Sequence, residues 1–284
     1  MITVIESVSD MRNFIAQVRQ QGKKVGLVPT MGALHEGHLA LMGEAKSSSD
    51  IVVASIFVNP TQFGPNEDYD AYPRTWQSDL DVCQKIGVDV VFRPPVADMY
   101  PQGWGTWVSV EKITEKLCGQ TRPSHFRGVA TVVTKLFNIV QPDSAFFGQK
   151  DAQQVAVLMK MVRDLNMNVE IIVVPIVRDV DGLAKSSRNI YLTPEQRTAA
   201  LVLSRSLLFA RQMVIQGQRE CRLICSEVQN KIAEEPLAAV EYVEMYSFPE
   251  LQEIAVISGK VLLAVAVRFG TTRLIDNIIL EVKG

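Results

Sequence analysis

Two of the chain's three histidines, His35 and His38, lie in one Gly-containing stretch, Val25-Gly-Leu-Val-Pro-Thr-Met-Gly-Ala-Leu-His-Glu-Gly-His38. Imidazoles three residues apart can ligate a metal, move a proton or neutralise a phosphate. Zinc would need further ligands, and neither a nearby cysteine nor an evident third ligand is present. Surface histidines without a role are the plain alternative. Other residues suit an anionic substrate. Lys150 is a point charge apt for an α-phosphate, or else a solvated lysine. Ser186, Ser187 and Arg188 offer two hydroxyls and a guanidinium fork, a match to β- and γ-phosphates, or else a polar linker. Gln62 both donates and accepts, as recognition of a hydroxyl requires. Gln154 stands one turn into a predicted helix and could face the same pocket. Asp151 could accept from ribose hydroxyls or cap that helix.

The elements that must position these groups follow from the apolar pattern. Residues 24–28 predict a short buried strand ended by Pro29, which cannot donate to a ladder. Gly32 and Gly37 permit a tight turn, and residues 39–46 are helical in character. Strand, turn and helix in that order aim backbone N–H groups and the positive helix end at whatever the turn holds. Residues 8–20 carry Val8, Met11, Ile15 and Val18 at helical spacing, with Ser9 or Asp10 as N-cap. Continuous β-branched runs at 50–58, 88–92 and 169–177, with a short strand at 145–147, alternate with predicted helices at 73–85, 128–140 and 151–165. That alternation predicts an α/β fold, a Rossmann-like doubly wound parallel sheet. After Val180-Asp-Gly182 the character changes to helices at 194–216 and 222–233, then strands at 240–245, 261–269 and 274–282. The last two strands, joined through Gly270, predict antiparallel pairing. The expected domains are therefore 1–180, binding nucleotide and substrate, and 181–284, a smaller C-terminal α+β domain covering the site. In an open parallel sheet, ligands sit beyond the carboxyl ends of the strands. That rule selects residues 29–38, 59–63, 148–151 and 178–188.

With 284 residues, 47% apolar and 21% charged, the composition is that of a globular chain. Lys plus Arg is 29 against Asp plus Glu 31, so a net charge of −2 argues against nucleic acid as the main partner. The first residues lack a basic region followed by an apolar core, which predicts no secretory leader. Runs such as 51–58 are of strand length, which predicts no membrane partner. Cys83, Cys118, Cys221 and Cys225 form no disulfide framework, and Cys221 with Cys225 reads as a reduced thiol pair. A cytoplasmic enzyme fits these features.

The His-x-Gly-His spacing resembles the phosphate-binding signature of the nucleotidylyltransferase and class I synthetase superfamily. The resemblance sharpens along the chain. Val28-Pro-Thr-Met-Gly-Ala-Leu-His-Glu-Gly-His38, Ile56-Phe-Val-Asn-Pro-Thr-Gln-Phe63, Tyr72-Pro-Arg-Thr75, His125-Phe-Arg-Gly128, Phe147-Gly-Gln-Lys-Asp151, Ser186-Ser-Arg-Asn189 and Arg273-Leu-Ile-Asp-Asn277 together resemble the pantothenate synthetase family. The resemblance implies ATP-dependent joining of pantoate to β-alanine, with Mg²⁺ on the ATP, no tightly bound organic cofactor and a homodimer. It implies ATP binding by Met31, Gly32, Ala33, Leu34, His35, Glu36, Gly37 and His38. Gly148, Gln149, Lys150, Asp151, Val177, Lys185, Ser186, Ser187 and Arg188 complete the ATP set. Gln62 and Gln154 would hold pantoate, and His35, His38, Lys150 and Arg188 would be catalytic. No protein metal site is implied, although Asp79 is one candidate for the magnesium. Three positions depart from the family's usual pattern: Thr61 stands for Met, Gln149 for Glu, and Lys185 for Met or Leu. A cytidylyl- or adenylyltransferase of the same superfamily is the alternative.

Overall fold

A computed structural model describes residues 2–65 and 67–282. The chain forms two compact units, Met1–Gly148 with Val157–Val174, and Gln149–Ala156 with Pro175–Gly284. The first unit holds β1 (Thr3–Ile5), α1 (Val8–Gln20), β2 (Val25–Thr30), α2 (Glu36–Ser48), β3 (Ile51–Ile56), α3 (Trp76–Ile86) and β4 (Val90–Phe92). Two single turns follow, α4 (Val96–Met99) and α5 (Cys118–Thr121), then α6 (His125–Val140), β5 (Ser144–Gly148), α7 (Ala152–Asp164) and β6 (Glu170–Val174). Helix α7 begins in the second unit.

The six strands are all parallel, in the order β1-β4-β3-β2-β5-β6. The β-branched runs explain the burial of this sheet on both faces. Side chains two apart on one face, Val28, Val52, Ala54, Ile56, Val91 and Phe146, pack under Leu41, Met42 and Ala45 of α2 and Cys83 of α3. Helices α1 and α6 pack on each other, and α6 on β2, from the other side. Strand order reverses between β2 and β5, so the topological switch point of the sheet lies between these two strands.

Local differences from expectation have physical causes. Pro29 does not end its strand: β2 runs to Thr30, with Pro29 opposite Ser55. Beyond Leu27, β2 has no partner in β5, so one side needs no donor at Pro29. The N-cap of α1 is Ser7, whose Oγ accepts from Asp10 N at 3.0 Å, rather than Ser9 or Asp10. Asp50 precedes its strand and accepts from Lys24 N at 2.8 Å. Strand β1 was not foreseen, since three residues give no period to read.

The second unit contains α8 (Pro194–Ala199), α9 (Leu201–Ile215), α10 (Cys221–Ala233) and an antiparallel sheet of β7 (Ala238–Ser247), β8 (Gly259–Phe269) and β9 (Thr272–Val282), in that order. Its core joins Leu203, Leu207 and Val214 of α9 and Ile224 and Val228 of α10 to Val261, Leu263, Val265 and Val267 of β8. The single helix expected at 194–216 is interrupted at Ala200. By length and composition alone, the stretch Pro194–Ile215 could cross a membrane, contrary to the reading that apolar runs are only strand-long. Half of its most apolar window is buried in this unit, the pattern of a core helix. The expected boundary at 180/181 lies inside the second unit. Arg178 is clamped by Asp276 of β9, and Asn277 of β9 holds the backbone of Gln149 and Lys150.

Candidate active site

The turn between β2 and α2 is shaped by an acid from elsewhere in the chain. Gly32 and Ala33 both have left-handed backbone, φ +81° and +51°. A β-carbon at Gly32 would lie 2.9 Å from Asp79 Oδ2. Asp79 is 2% exposed and accepts from Ala33 N at 3.0 Å, Leu34 N at 2.9 Å and Thr75 Oγ1 at 3.1 Å. The carboxylate thus offsets the strain of the turn. Asp79 is therefore a brace, with both oxygens engaged.

His35 caps α2. Its Nδ1 accepts from Gly37 N at 3.1 Å, while His38 Nδ1 accepts from His35 N at 3.2 Å. The two rings lie 4.1 Å apart, centroid to centroid. An Nδ1 that accepts fixes the neutral imidazole as its Nε2–H tautomer. Both rings therefore present an N–H donor at the positive end of a 13-residue helix. This changes the expected cradle. The N–H groups of Ala33, Leu34, His35 and Gly37 all end on protein acceptors, so the turn offers imidazole donors more than backbone ones.

Gln62 is brought to the same turn, its Nε2 standing 3.2 Å from Met31 Sδ. Asn59, 1% exposed, orients it by donating from Nδ2 to Gln62 Oε1 at 3.0 Å and to Gly128 O at 3.2 Å. Asn59 Oδ1 accepts from Tyr100 OH at 2.7 Å and Thr61 Oγ1 at 2.9 Å. Thr61, one of the three departures, thereby joins this network. A β-carbon on Gly128 would lie 2.3 Å from Thr61 O, so only glycine lets α6 approach the Pro60–Gln62 turn. Arg122 grips Glu67 at 2.6 and 2.5 Å and donates to Gln62 O at 3.3 Å, while His125 Nδ1 lies 2.9 Å from that carbonyl. Burial pushes the Glu67 carboxyl up, but Arg122 outweighs it and holds the acid below its usual range. The bracing roles of Asp79, Asn59 and Gly128 were not foreseen, although Asp79 was a magnesium candidate and Asn59 lay in a selected strand-end segment. The Asn-Pro pair, which makes an Asx turn at the strand end, was a legible signal for Asn59.

The second unit holds the other residues predicted from the sequence. Gln149 and Lys150 lie in the short turn Gln149–Asp151 after β5, with Lys150 Nζ 3.5 Å from Asp151 Oδ1. Gln149 donates from Nε2 to Asn277 Oδ1 at 3.2 Å, a bond the family's usual Glu could not donate. Gln154 lies in the first turn of α7. Residues 177–185 form a tight hairpin: Lys185 N donates to Val177 O at 2.9 Å, Arg178 bridges Ala184, and Asp179 N donates to Leu183 O at 2.8 Å. Lys185 pairs with Asp179 at 2.6 Å, so a neighbouring acid already balances this departure. Ser186 then caps the turn Ser187–Tyr191, accepting from Arg188 N at 3.3 Å. Asn189 ties the turn to the hairpin by donating to Ala184 O at 3.0 Å.

The chain as a whole has relatives among known proteins. The sequence profile of the family Pantoate-beta-alanine ligase matches residues 3–279. The chain is 58% identical over 277 residues to the pantothenate synthetase of Pelotomaculum thermopropionicum, covering 98% of each. It is 56% identical over 279 residues to that of Acetivibrio thermocellus, covering 98% of this chain and 99% of the relative. The crystal structure of pantothenate synthetase from Thermus thermophilus superposes with a TM-score of 0.92 at 44% identity, covering 100% of both chains. That of the pantoate-beta-alanine ligase from Francisella tularensis, solved with beta-gamma ATP and beta-alanine, gives 0.78 at 33% identity over 98% of each. The motifs read from the sequence and the match along its length agree: the chain belongs to the pantoate–β-alanine ligase family.

Proposed function

We propose that this chain condenses pantoate with β-alanine at the expense of ATP, through a pantoyl-adenylate, releasing pyrophosphate and then AMP. Family membership supports the overall reaction. The observation that carries the mechanism is the pair of imidazoles held as Nε2–H donors at the helix end beside the switch point of the sheet.

In the first half, a pantoate carboxylate oxygen bonds to the α-phosphorus. The bond from phosphorus to the α–β bridging oxygen breaks, and its electron pair leaves with pyrophosphate. The carboxylate is already ionised near neutral pH, so no base is needed. What the step needs is balance for the charge gathering on phosphate oxygens. His35, His38 and the end of α2, and Lys150, Arg188, Ser186 and Ser187, are the groups of this chain suited to supply it. Met31 to His38, Gly148, Gln149, Asp151, Val177 and Lys185 complete the ATP contacts, and Gln62 and Gln154 hold pantoate. In this scheme magnesium enters with ATP as part of the substrate, keeping phosphates and waters as ligands. In the second half, the free amine of β-alanine bonds to the activated carbonyl carbon. AMP leaves with the electron pair, and the amine nitrogen releases a proton.

Pyrophosphate release assayed with pantoate alone, then with β-alanine added, tests the scheme. Release limited to about one equivalent before β-alanine and sustained after it is expected; release that never precedes β-alanine would refute the adenylate. The same reading makes the enzyme a cytoplasmic homodimer. The four cysteines, Cys83, Cys118, Cys221 and Cys225, are free thiols, the state a reducing compartment keeps. Sedimentation would check the dimer.

A further inference from the structure

We propose that Asp276 and Asn277 are positioning residues that hold Lys150 and the Ser186–Arg188 segment in one spacing for the phosphates of ATP; the proposal rests on the function inferred above. The two are neighbours on β9, opposite Val265 and Ala264 of β8 in an unbroken register. Successive strand residues point to opposite faces, so the pair can grip two different segments. Both are buried, 2% and 3% exposed.

Asn277 serves the Lys150 side. Its Nδ2 donates to Gln149 O at 3.0 Å and Lys150 O at 2.9 Å, and its Oδ1 accepts from Gln149 Nε2 at 3.2 Å. The amide thus holds the backbone from which the Lys150 side chain extends. Asp276 serves the other side. It accepts from Arg178 at 2.6 and 2.9 Å, and Arg178 Nη1 also donates to Gly182 O at 3.1 Å. Arg178 bridges Ala184 across the hairpin, so Asp276 fixes the hairpin from which Lys185, Ser186 and Arg188 emerge. Asp276 Oδ1 further accepts from Asn277 N at 2.7 Å, which couples the two grips.

Stability alone does not call for this arrangement. A buried ion pair is often no better than an apolar pair of equal volume, while breaking one side of it is costly. A buried acid and a buried amide side by side, each spent on backbone or cation from a phosphate-binding segment, make sense as a device that fixes geometry.

A double-mutant cycle read by calorimetric titration with Mg–ATP tests this. Asn277→Ala should weaken Mg–ATP binding at least tenfold in the wild-type background. In a Lys150→Ala background it should weaken binding less than about threefold, because its effect runs through Lys150. Equal losses in both backgrounds, or an Asn277→Ala protein of normal affinity, would overturn the proposal. A purely structural role would lower the number of binding sites per chain while leaving the affinity of the remaining sites intact. If Asn277→Ala fails to fold, Asn277→Ser, which keeps one donor, carries the same cycle. Because binding rather than turnover is read, a non-additive cycle in a protein with no ligase activity would refute the function and leave the bracket standing.

Discussion

At the scale of residues, chemistry and architecture share side chains. His38 both accepts from His35 N and presents its Nε2–H. His38→Asn keeps a short acceptor for that N–H but removes the ring donor. Its melting temperature should stay within a few degrees of wild type, while kcat falls about 10²–10³-fold, the loss typical of one oxyanion-stabilising donor. A stable variant with near-normal kcat would confine His38 to capping. Asp79→Ala strands Ala33 N and Leu34 N, each costing about 1–3 kcal/mol when buried and unmatched. Thermal unfolding should show that loss, with a raised KM for ATP. The histidines, Lys150, Gln62 and the Ser-Ser-Arg run stand out in the sequence because their types and spacing suit phosphate and hydroxyl chemistry. Asp79 was not, because an acid 46 positions from Ala33 becomes its acceptor only through the fold.

At the scale of elements, close approach and charge at strand ends set what can change. Gly128→Ala forces α6 away from Thr61 O, and overpacking of this kind costs about 1–3 kcal/mol. Denaturant unfolding should report the cost, together with weaker pantoate binding as Gln62 shifts. Asp143 joins Arg19 of α1, at 2.8–2.9 Å, to Val25 N of β2, at 2.7 Å. Burial pushes its carboxyl up, but Arg19 and the Val25 N–H outweigh that and hold it below its ordinary 3.8. A group depressed in the folded state stabilises above its unfolded pKa and loses that contribution as pH falls through the folded value. Arg19→Ala should therefore move acid unfolding, below about pH 4, to higher pH. At pH 7 it should cost less than about 1 kcal/mol, since the pair is partly exposed. Long periodic elements such as α1, and the β-branched runs of β3, were readable from the sequence. Strand β1, the break at Ala200 and the continuation through Pro29 were not, because each depends on a neighbouring strand or on packing rather than local propensity.

At the scale of the whole molecule, the alternation of strand and helix was enough to foresee a doubly wound sheet. The strand order, and hence the switch point between β2 and β5, had to be seen. The second unit takes in Gln149–Ala156 and begins again at Pro175 for a related reason: Arg178, Gln149 and Lys150 are bound to β9 by contacts of long sequence separation. We propose that the groups assigned to ATP and pantoate activate the carboxylate before the amine arrives. Exchange of labelled pyrophosphate into ATP measures it most directly. With Mg–ATP and pantoate but no β-alanine, exchange should be rapid and strictly dependent on pantoate. Exchange at background under those conditions, in a protein that still makes pantothenate when β-alanine is added, would contradict it.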